Sequence, residues 1–277
     1  MSIEALINNE HSELTHGDEP PGQIVLSSRI RLARNFSGYA FPGWANVNSR
    51  IEVMERCFKA LLEMPDLKGA SRLKIDELSE LEKQVLVERH LISKELSSVG
   101  EGAAAVINQD QSCAIMINEE DHLRIQVLRR GFKLEEIWAV IDRLDTDLEK
   151  EIDYAFSSDL GYLTACPTNV GTGMRASVML HLPGLVLIEH MEKVIRAVNQ
   201  LGLAVRGIAG EGSEASGSVF QISNQQTLGE SEEDIIRRLV NVLKTLIQHE
   251  QNARIKMLQG NPRKVCLLYT SPSPRDS

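Results

Sequence analysis

Between residues 103 and 129 the hydrophobic pattern changes period. Residues 103–108, 113–118 and 123–129 are three short runs rich in Ala, Val, Ile and Met, separated by polar turns. Runs this short and this close together fit strands that pair with their chain neighbours in an antiparallel meander. A parallel arrangement would need a crossover of a dozen or more residues between each pair. Helical spacing brackets the meander. Residues 51–62 form one such stretch, closed by Pro65. A second covers 79–90, with Ser79 and Glu82 placed as a capping box. Others cover 134–152, 189–201 (stopped at Gly202) and 231–258, the last with Glu232, Glu233 and Asp234 in its first turn, as the helix dipole prefers. Further strands are expected at 24–26 leading into 27–34, at 161–165, and at 203–208 and 219–223 around a glycine-rich loop. Meandering strands with inserted helices predict an α+β fold, a mainly antiparallel sheet flanked by helices.

Domain limits follow from composition. Residues 1–21 are polar and acidic, end in Pro20-Pro21, and read as a flexible leader without the basic and apolar regions of a signal peptide. Residues 22–258 read as one domain. Residues 259–277 read as a truncated end. Within it, 265–277 have no helical or strand period and resemble a translated cloning adapter, a non-native tail excluded from fold reasoning. No run is apolar enough to cross a membrane. Cys57, Cys113, Cys166 and Cys266 are widely spaced, with no metal-binding pair, and read as free thiols in a reducing, cytoplasmic setting. The formal net charge of −9 argues against nucleic-acid binding and favours basic protein partners.

Four segments carry chemistry. Ser27-Ser28-Arg29-Ile30-Arg31 puts two arginines at i and i+2, on one face of an extended chain. Two guanidinium forks on one face suit a polyphosphate. Asn118-Glu119-Glu120-Asp121-His122-Leu123-Arg124 follows a strand-like run and sets three acids beside an arginine. Alone it also reads as a solvated acidic loop. Cys166-Pro167-Thr168-Asn169-Val170-Gly171-Thr172-Gly173-Met174-Arg175 reads as a tight loop opening a helix, whose glycines would let backbone approach a ligand and whose N-terminus would favour anions. Cys166 is either a small buried residue or a thiolate stabilised there. Gly171-x-Gly173 is a poor dinucleotide fingerprint, because the third position is Ala176, and no phosphate-loop motif is present. Arg206-Gly207-Ile208-Ala209-Gly210-Glu211 ends a strand with an arginine, a glycine-rich loop and a carboxylate. Together Arg29, Arg31, Arg124, Arg175 and Arg206 each fall at or near an element end. Phosphoryl transfer needs such positioning and charge stabilisation more than covalent chemistry.

In this order the four segments resemble the motifs of the phosphagen (ATP:guanidino) kinases, over roughly residues 22–255. The resemblance implies that family's glutamine-synthetase-like catalytic domain, here without the N-terminal helical domain, because only 28 residues precede Arg29. Within the family the chain is most similar to the bacterial protein-arginine kinases. Met179, in the stretch Arg175-Ala176-Ser177-Val178-Met179 read as a helix, stands where small-molecule members carry a histidine. A site not enclosed by a helical domain suits arginine on a protein.

The resemblance implies ATP and Mg²⁺ as cofactors and a protein-arginine kinase activity. The alternatives are a kinase for a free guanidino compound such as arginine, or an inactive truncated adaptor. It implies that Arg29, Arg31, Arg124, Arg175 and Arg206 hold phosphates. The segments Ser27 to Arg31, Arg175 to Met179 and Arg206 to Gly210, with His90, line the nucleotide. Glu120 and Glu211 grip the guanidinium, Glu120 as base, and Cys166 lies beside the substrate. No protein metal ligand is expected. Implied partners are proteins with exposed arginines, among them a stress-gene repressor and Clp protease substrates, and a zinc-binding activator protein.

Overall fold

A computed structural model describes Leu6 and residues 23–62, 64–207 and 216–260. Its centre is an eight-stranded sheet built from β1 (Val25–Arg34), β2 (Ser71–Lys74), β3 (Ala104–Ile107), β4 (Cys113–Ile117), β5 (Leu123–Arg130), β8 (Met174–His181), β9 (Leu203–Gly207) and β10 (Val219–Asn224). The order is β2-β3-β4-β5-β1-β8-β10-β9, and every neighbouring pair is antiparallel. The meander expected over 103–129 is β3, β4 and β5, adjacent in sequence and in space. A separate ribbon pairs β6 (Phe156–Ser157) with β7 (Gly161–Tyr162), so the strand expected at 161–165 is only two residues long.

One face of the sheet is closed by helices from β3 across to β9, while Arg72 and Lys74 of β2 are exposed on it. Ile30, Leu32, Ile115, Ile125, Val127, Ala176, Val178 and Ile222 lie on that face and are almost fully buried. Helices α1 (Val47–Leu62), α4 (Leu134–Glu149) and α7 (Glu232–Gly260) cover most of it. On α4 the buried Leu134, Ile137, Ile141, Leu144 and Leu148 recur at three- and four-residue spacing, the stripe a helix turns toward a sheet. Each such side chain contributes about 1.5–3 kcal/mol by leaving water.

Among the described residues the opposite face is covered only at one end. There α2 (Glu80–Glu88) and α3 (Lys94–Ser97) close over Leu73, Ala105, Ile107, Ala114 and Met116. Ser79 caps α2 with Glu82 in the expected capping box. Leu6 is buried in this second cluster, its carbonyl accepting from Arg89 Nη1 and Gln111 Nε2, both at 2.8 Å. The remainder of the 1–21 leader lies outside the described residues, as does the 261–277 part of the tail. Completing the helices are α5 (Pro183–Leu187) and α6 (Met191–Gln200). Among the described residues no helix is long and apolar enough to cross a membrane.

One expectation is corrected. The stretch from Arg175 to Met179, read as a helix, is the interior of strand β8, hydrogen-bonded between β1 and β10. Its burial alternates, with Met174, Ala176, Val178 and Leu180 in the core. That period of two outweighed a local composition that tolerates either structure.

Candidate active site

The strand register assembles the site. Arg31 lies opposite Gln126 on β5 and Arg175 on β8, and Arg29 lies opposite Leu128 and Ser177. Arg124 lies opposite Ala33, and Gln221 on β10 lies between Met179 and Arg206. Directly paired residues share a face. Ser27, Arg29, Arg31, Arg124, Arg175, Ser177, Met179 and Arg206 therefore all project from the face that α2 and α3 leave open. The same alternation sends Ser28, Ile30, Ala176 and Val178 to the opposite side. Ile30, Ala176 and Val178 are core residues there. Ser28 donates to the Gly131 carbonyl at 2.7 Å and accepts from Lys133 N. The side chains of these four predicted nucleotide contacts thus point away from the face that α2 and α3 leave open.

Two cavities open along this face. One, of about 460 Å³, is walled by Ser27, Arg29, His90, Leu128, Met179 and Gln221. The other, of about 590 Å³, is lined by Arg31, Arg124 and Arg175 and by Glu95, Glu119 and Glu120, with Cys166, Thr168 and Val99 completing its wall. Arg29 and Arg31, two residues apart on β1, join them. A larger apolar cavity, about 760 Å³, lies between α6 and α7 and contains none of the predicted residues.

The arginine row is electrostatically unsatisfied. Burial, then the neighbouring guanidinium groups of Arg29, Arg124 and Arg175, push the pKa of Arg31 down to about 9. Arg29 is lowered by burial, Arg175 and Arg124, and Arg175 by burial and Arg206. A guanidinium keeps its proton at neutral pH. The lowered proton affinity reflects first the burial of these cations and then their crowding, a cost that a bound anion relieves. Nε of Arg175 is buried without a hydrogen-bond partner. Among the described residues Arg124 alone of the five is tied to acids, at 2.6 Å to Glu119 and 3.4 Å to Glu120. At the rim of the smaller cavity, His90 is shifted down by partial burial and by Arg29, so it is neutral at pH 7.

The acidic turn is held rigidly. Asn118 takes a left-handed conformation (φ 57°) and its amide donates to the carbonyls of Arg50 and Gly102. Buried Asp121 accepts from Asn35 Nδ2 at 2.6 Å and from Ala165 N at 2.7 Å. It thereby ties the turn to the segment that carries Cys166. His122 Nδ1 accepts from Phe36 N, so its Nε2 donates to the Ala40 carbonyl, and burial keeps the ring neutral. Glu119 is nearly buried, pairs with Arg124 and accepts from Ser93 Oγ. Burial raises its pKa, against the opposing pull of Arg124 and Ser93. Glu120 is left with its side chain 46% exposed, facing the cavity.

The glycines of the Cys166 segment serve the protein's own backbone. A Cβ on Gly173 (φ 63°) would stand 2.6 Å from the Ala33 carbonyl, and one on Gly171 (φ 111°) 2.1 Å from that of Thr227. Residues 167–169 form one tight 3₁₀ turn, too short to act as a helix N-terminus. Cys166 Sγ lies 3.0 Å from Thr168 Oγ1 at the cavity wall. Gly207 ends β9 beside Arg206. Ile208, Ala209, Gly210 and Glu211 lie outside the described residues.

Sequence reasoning missed several lining residues. Leu128 and Gln221 could have been found by extending the period-two face across β5 and β10. Glu95 and Val99 carry no local signal, because only the fold of α3 and the loop after it brings them here.

Comparison with known proteins agrees with this geometry. Residues 52–253 match the family model of the ATP:guanido phosphotransferase C-terminal catalytic domain. A protein-arginine kinase of Pelotomaculum thermopropionicum is 49% identical over 257 residues, 92% of this chain and 72% of the relative. One of Halothermothrix orenii is 48% identical over 259 residues, covering 94% of this chain and 74% of the relative. Among solved structures, a lombricine kinase superposes with a TM-score of 0.76 at 26% identity, over 92% of this chain and 78% of that one. A duplicated taurocyamine kinase of Schistosoma mansoni, bound to transition-state-analogue components, superposes with a TM-score of 0.74 at 25% identity, over 90% of this chain and 38% of that one.

Proposed function

This chain belongs to the ATP:guanido phosphotransferase family, and we propose that it acts as an ATP-dependent protein-arginine kinase, moving the γ-phosphoryl group of ATP to the guanidinium of arginine side chains in proteins. The observation that carries the reading is an order along one sheet face. An apolar-walled cavity with Met179 and Leu128 is followed by the unsatisfied arginines, and then by a cavity with an exposed carboxylate at Glu120. Base, phosphates and acceptor would lie along it in that sequence.

Guanidinium groups without an acid partner among the described residues, three of them partly buried and Arg206 exposed, fit a triphosphate. Arg29, Arg31, Arg175 and Arg206 would hold its oxygens, and Arg124 would bridge phosphate to the acceptor carboxylates. Mg²⁺, which ATP implies, would be held mostly by phosphate oxygens and water, and would supply charge neutralisation there.

A guanidinium is protonated at neutral pH and is a poor nucleophile. Glu120 orients it and accepts a proton as its nitrogen attacks the γ-phosphorus. A nitrogen–phosphorus bond forms, the bond from phosphorus to the bridging oxygen of ADP breaks, and the proton leaves through Glu120. Glu211 acts as a second clamp on the guanidinium, with Cys166 beside it. We propose a cytoplasmic setting and protein substrates with exposed arginines, among them a stress-gene repressor and Clp protease substrates, with a zinc-binding activator protein as partner.

The test is incubation with Mg-ATP and either an arginine-rich protein or free L-arginine, followed by mass spectrometry under conditions that preserve acid-labile phosphate. Phosphoarginine in the protein is the expected product. Phosphorylation of free arginine alone would move the assignment to a small-guanidine kinase.

A further inference from the structure

We infer that Glu95, with Val99, forms a rim of the acceptor cavity that selects arginines flanked by a basic residue in the target polypeptide. The inference rests on the acceptor reading of that cavity and adds to it a choice of substrate context.

The cavity lining carries three guanidinium groups, Arg31, Arg124 and Arg175, and three carboxylates, Glu119, Glu120 and Glu95. These three acids are not equivalent. Glu119 is neutralised by Arg124 and held by Ser93. Glu120 takes only the edge of Arg124, at 3.4 Å, and is the carboxylate left for the reacting guanidinium. Glu95 is exposed, forms no ion pair among the described residues, and lines the same space. A single guanidinium already engaged by Glu120 does not need it, so a second cation on the same chain is the group it fits.

Glu95 is also fixed in place. Ser93 caps α3 by accepting from Leu96 N at 3.0 Å while donating to Glu119. One hydroxyl thus fastens the start of α3 to the catalytic turn, and Glu95 follows it at the first turn of that helix. The charge of Glu95 reaches the Glu119 carboxyl and helps to raise it. On the far side of α3, half-buried Val99 packs on the core beneath and presents an apolar surface to the cavity. That surface fits the methylene stem of an arginine whose head is turned inward. Lys94 is exposed but does not line the cavity.

The test separates binding from turnover. Fluorescent peptides with one arginine flanked by Lys, Ala or Glu are titrated by anisotropy, with a non-hydrolysable ATP analogue present. Wild type is expected to bind the Lys-flanked peptide about threefold tighter than the Ala-flanked one, the size of a surface ion pair. Glu95→Gln should bring that ratio to about one, Glu95→Asp should retain most of it, and Glu95→Lys should favour the Glu-flanked peptide. A preference that persists in Glu95→Gln, or no preference in wild type, overturns the inference. Phosphoarginine formation is scored separately. Its absence alongside a Glu95-dependent preference would sink the kinase reading and leave the rim intact.

Discussion

The open face of the sheet has two halves made by the same rule and put to opposite uses. Across β2, β3 and β4 the residues on this face are Leu73, Ala105, Ile107, Ala114 and Met116, and α2 and α3 close over them. Across β5, β1, β8, β10 and β9 the same alternation presents Arg124, Arg31, Arg175, Gln221 and Arg206, and among the described residues no helix covers them. The backbone hydrogen bonding is alike in both halves. Only the side chains differ, and they decide whether the surface is core or site. The apolar half lowers free energy by folding. The basic half raises it, since cations crowd together there, and recovers the cost when an anion binds.

The sharpest way to break this contrast is to remove charge from the basic half. Arg31→Met or Arg175→Met should lower kcat by roughly 10²–10³-fold, the scale for losing one preorganised charge contact in a transition state. The same variants should unfold at a higher temperature than wild type without ligand, and should gain less from Mg-ATP. Wild type should gain about 2.7 kcal/mol at a ligand concentration a hundred times its dissociation constant. Differential scanning fluorimetry with and without Mg-ATP reads both effects. An Arg31→Met protein less stable than wild type without ligand would contradict the crowding argument.

The matching substitution on the closed face of the same strand should do the reverse. Val178→Ala lies one residue from Ser177 but inside the core. It should cost about 1–3 kcal/mol in urea unfolding, as lost burial plus a residual cavity. Its KM for ATP should stay at the wild-type value. A large change in KM with unchanged stability would mean the face assignment of β8 is wrong.

A smaller effect concerns Glu119. Its pKa in the folded protein lies above the ordinary value of 4.5, chiefly because of burial. As pH rises from 4.5 through the folded value, the unfolded chain loses its proton first, so this group's contribution to stability falls. Measured by urea unfolding between pH 4.5 and 7, the stability difference should shift in favour of Glu119→Gln as pH rises. A constant difference, or one that shifts toward wild type, would show that the carboxylate is not penalised there.

Much of this architecture was legible from periodicity. The meander, the long helices and the capping box at Ser79 are local patterns, and they fold as their patterns direct. Strand β8 was misread because Arg175 to Met179 is short, carries Ala and Met, and alternates only when seen beside its partners β1 and β10. The motif resemblance supplied whole stretches as nucleotide contacts, while period two admits only every second residue. Hence Arg29, Arg31, Ser177 and Met179 face the site, and Ser28, Ile30, Ala176 and Val178 do not. The acidic turn needed tertiary structure to be sorted. Nothing in Asn118-Glu119-Glu120-Asp121 distinguishes the acid paired with Arg124, the acid pinned by Asn35 and Ala165, and the acid left facing the cavity. Glu95 was invisible for a similar reason, since its neighbourhood depends on Ser93 fastening α3 to that turn.

The central claim is that the basic half of the face holds the donor while Glu120 activates the acceptor, and Glu120→Gln tests it most directly. With Mg-ATP and an arginine-rich protein, wild type should form phosphoarginine detectable by mass spectrometry. The variant should lose roughly 10²–10⁴-fold of that rate, the span of general acid–base catalysis, while still being stabilised by Mg-ATP to the wild-type extent. Full phosphoarginine formation by Glu120→Gln, or loss of nucleotide stabilisation together with activity, would contradict the account.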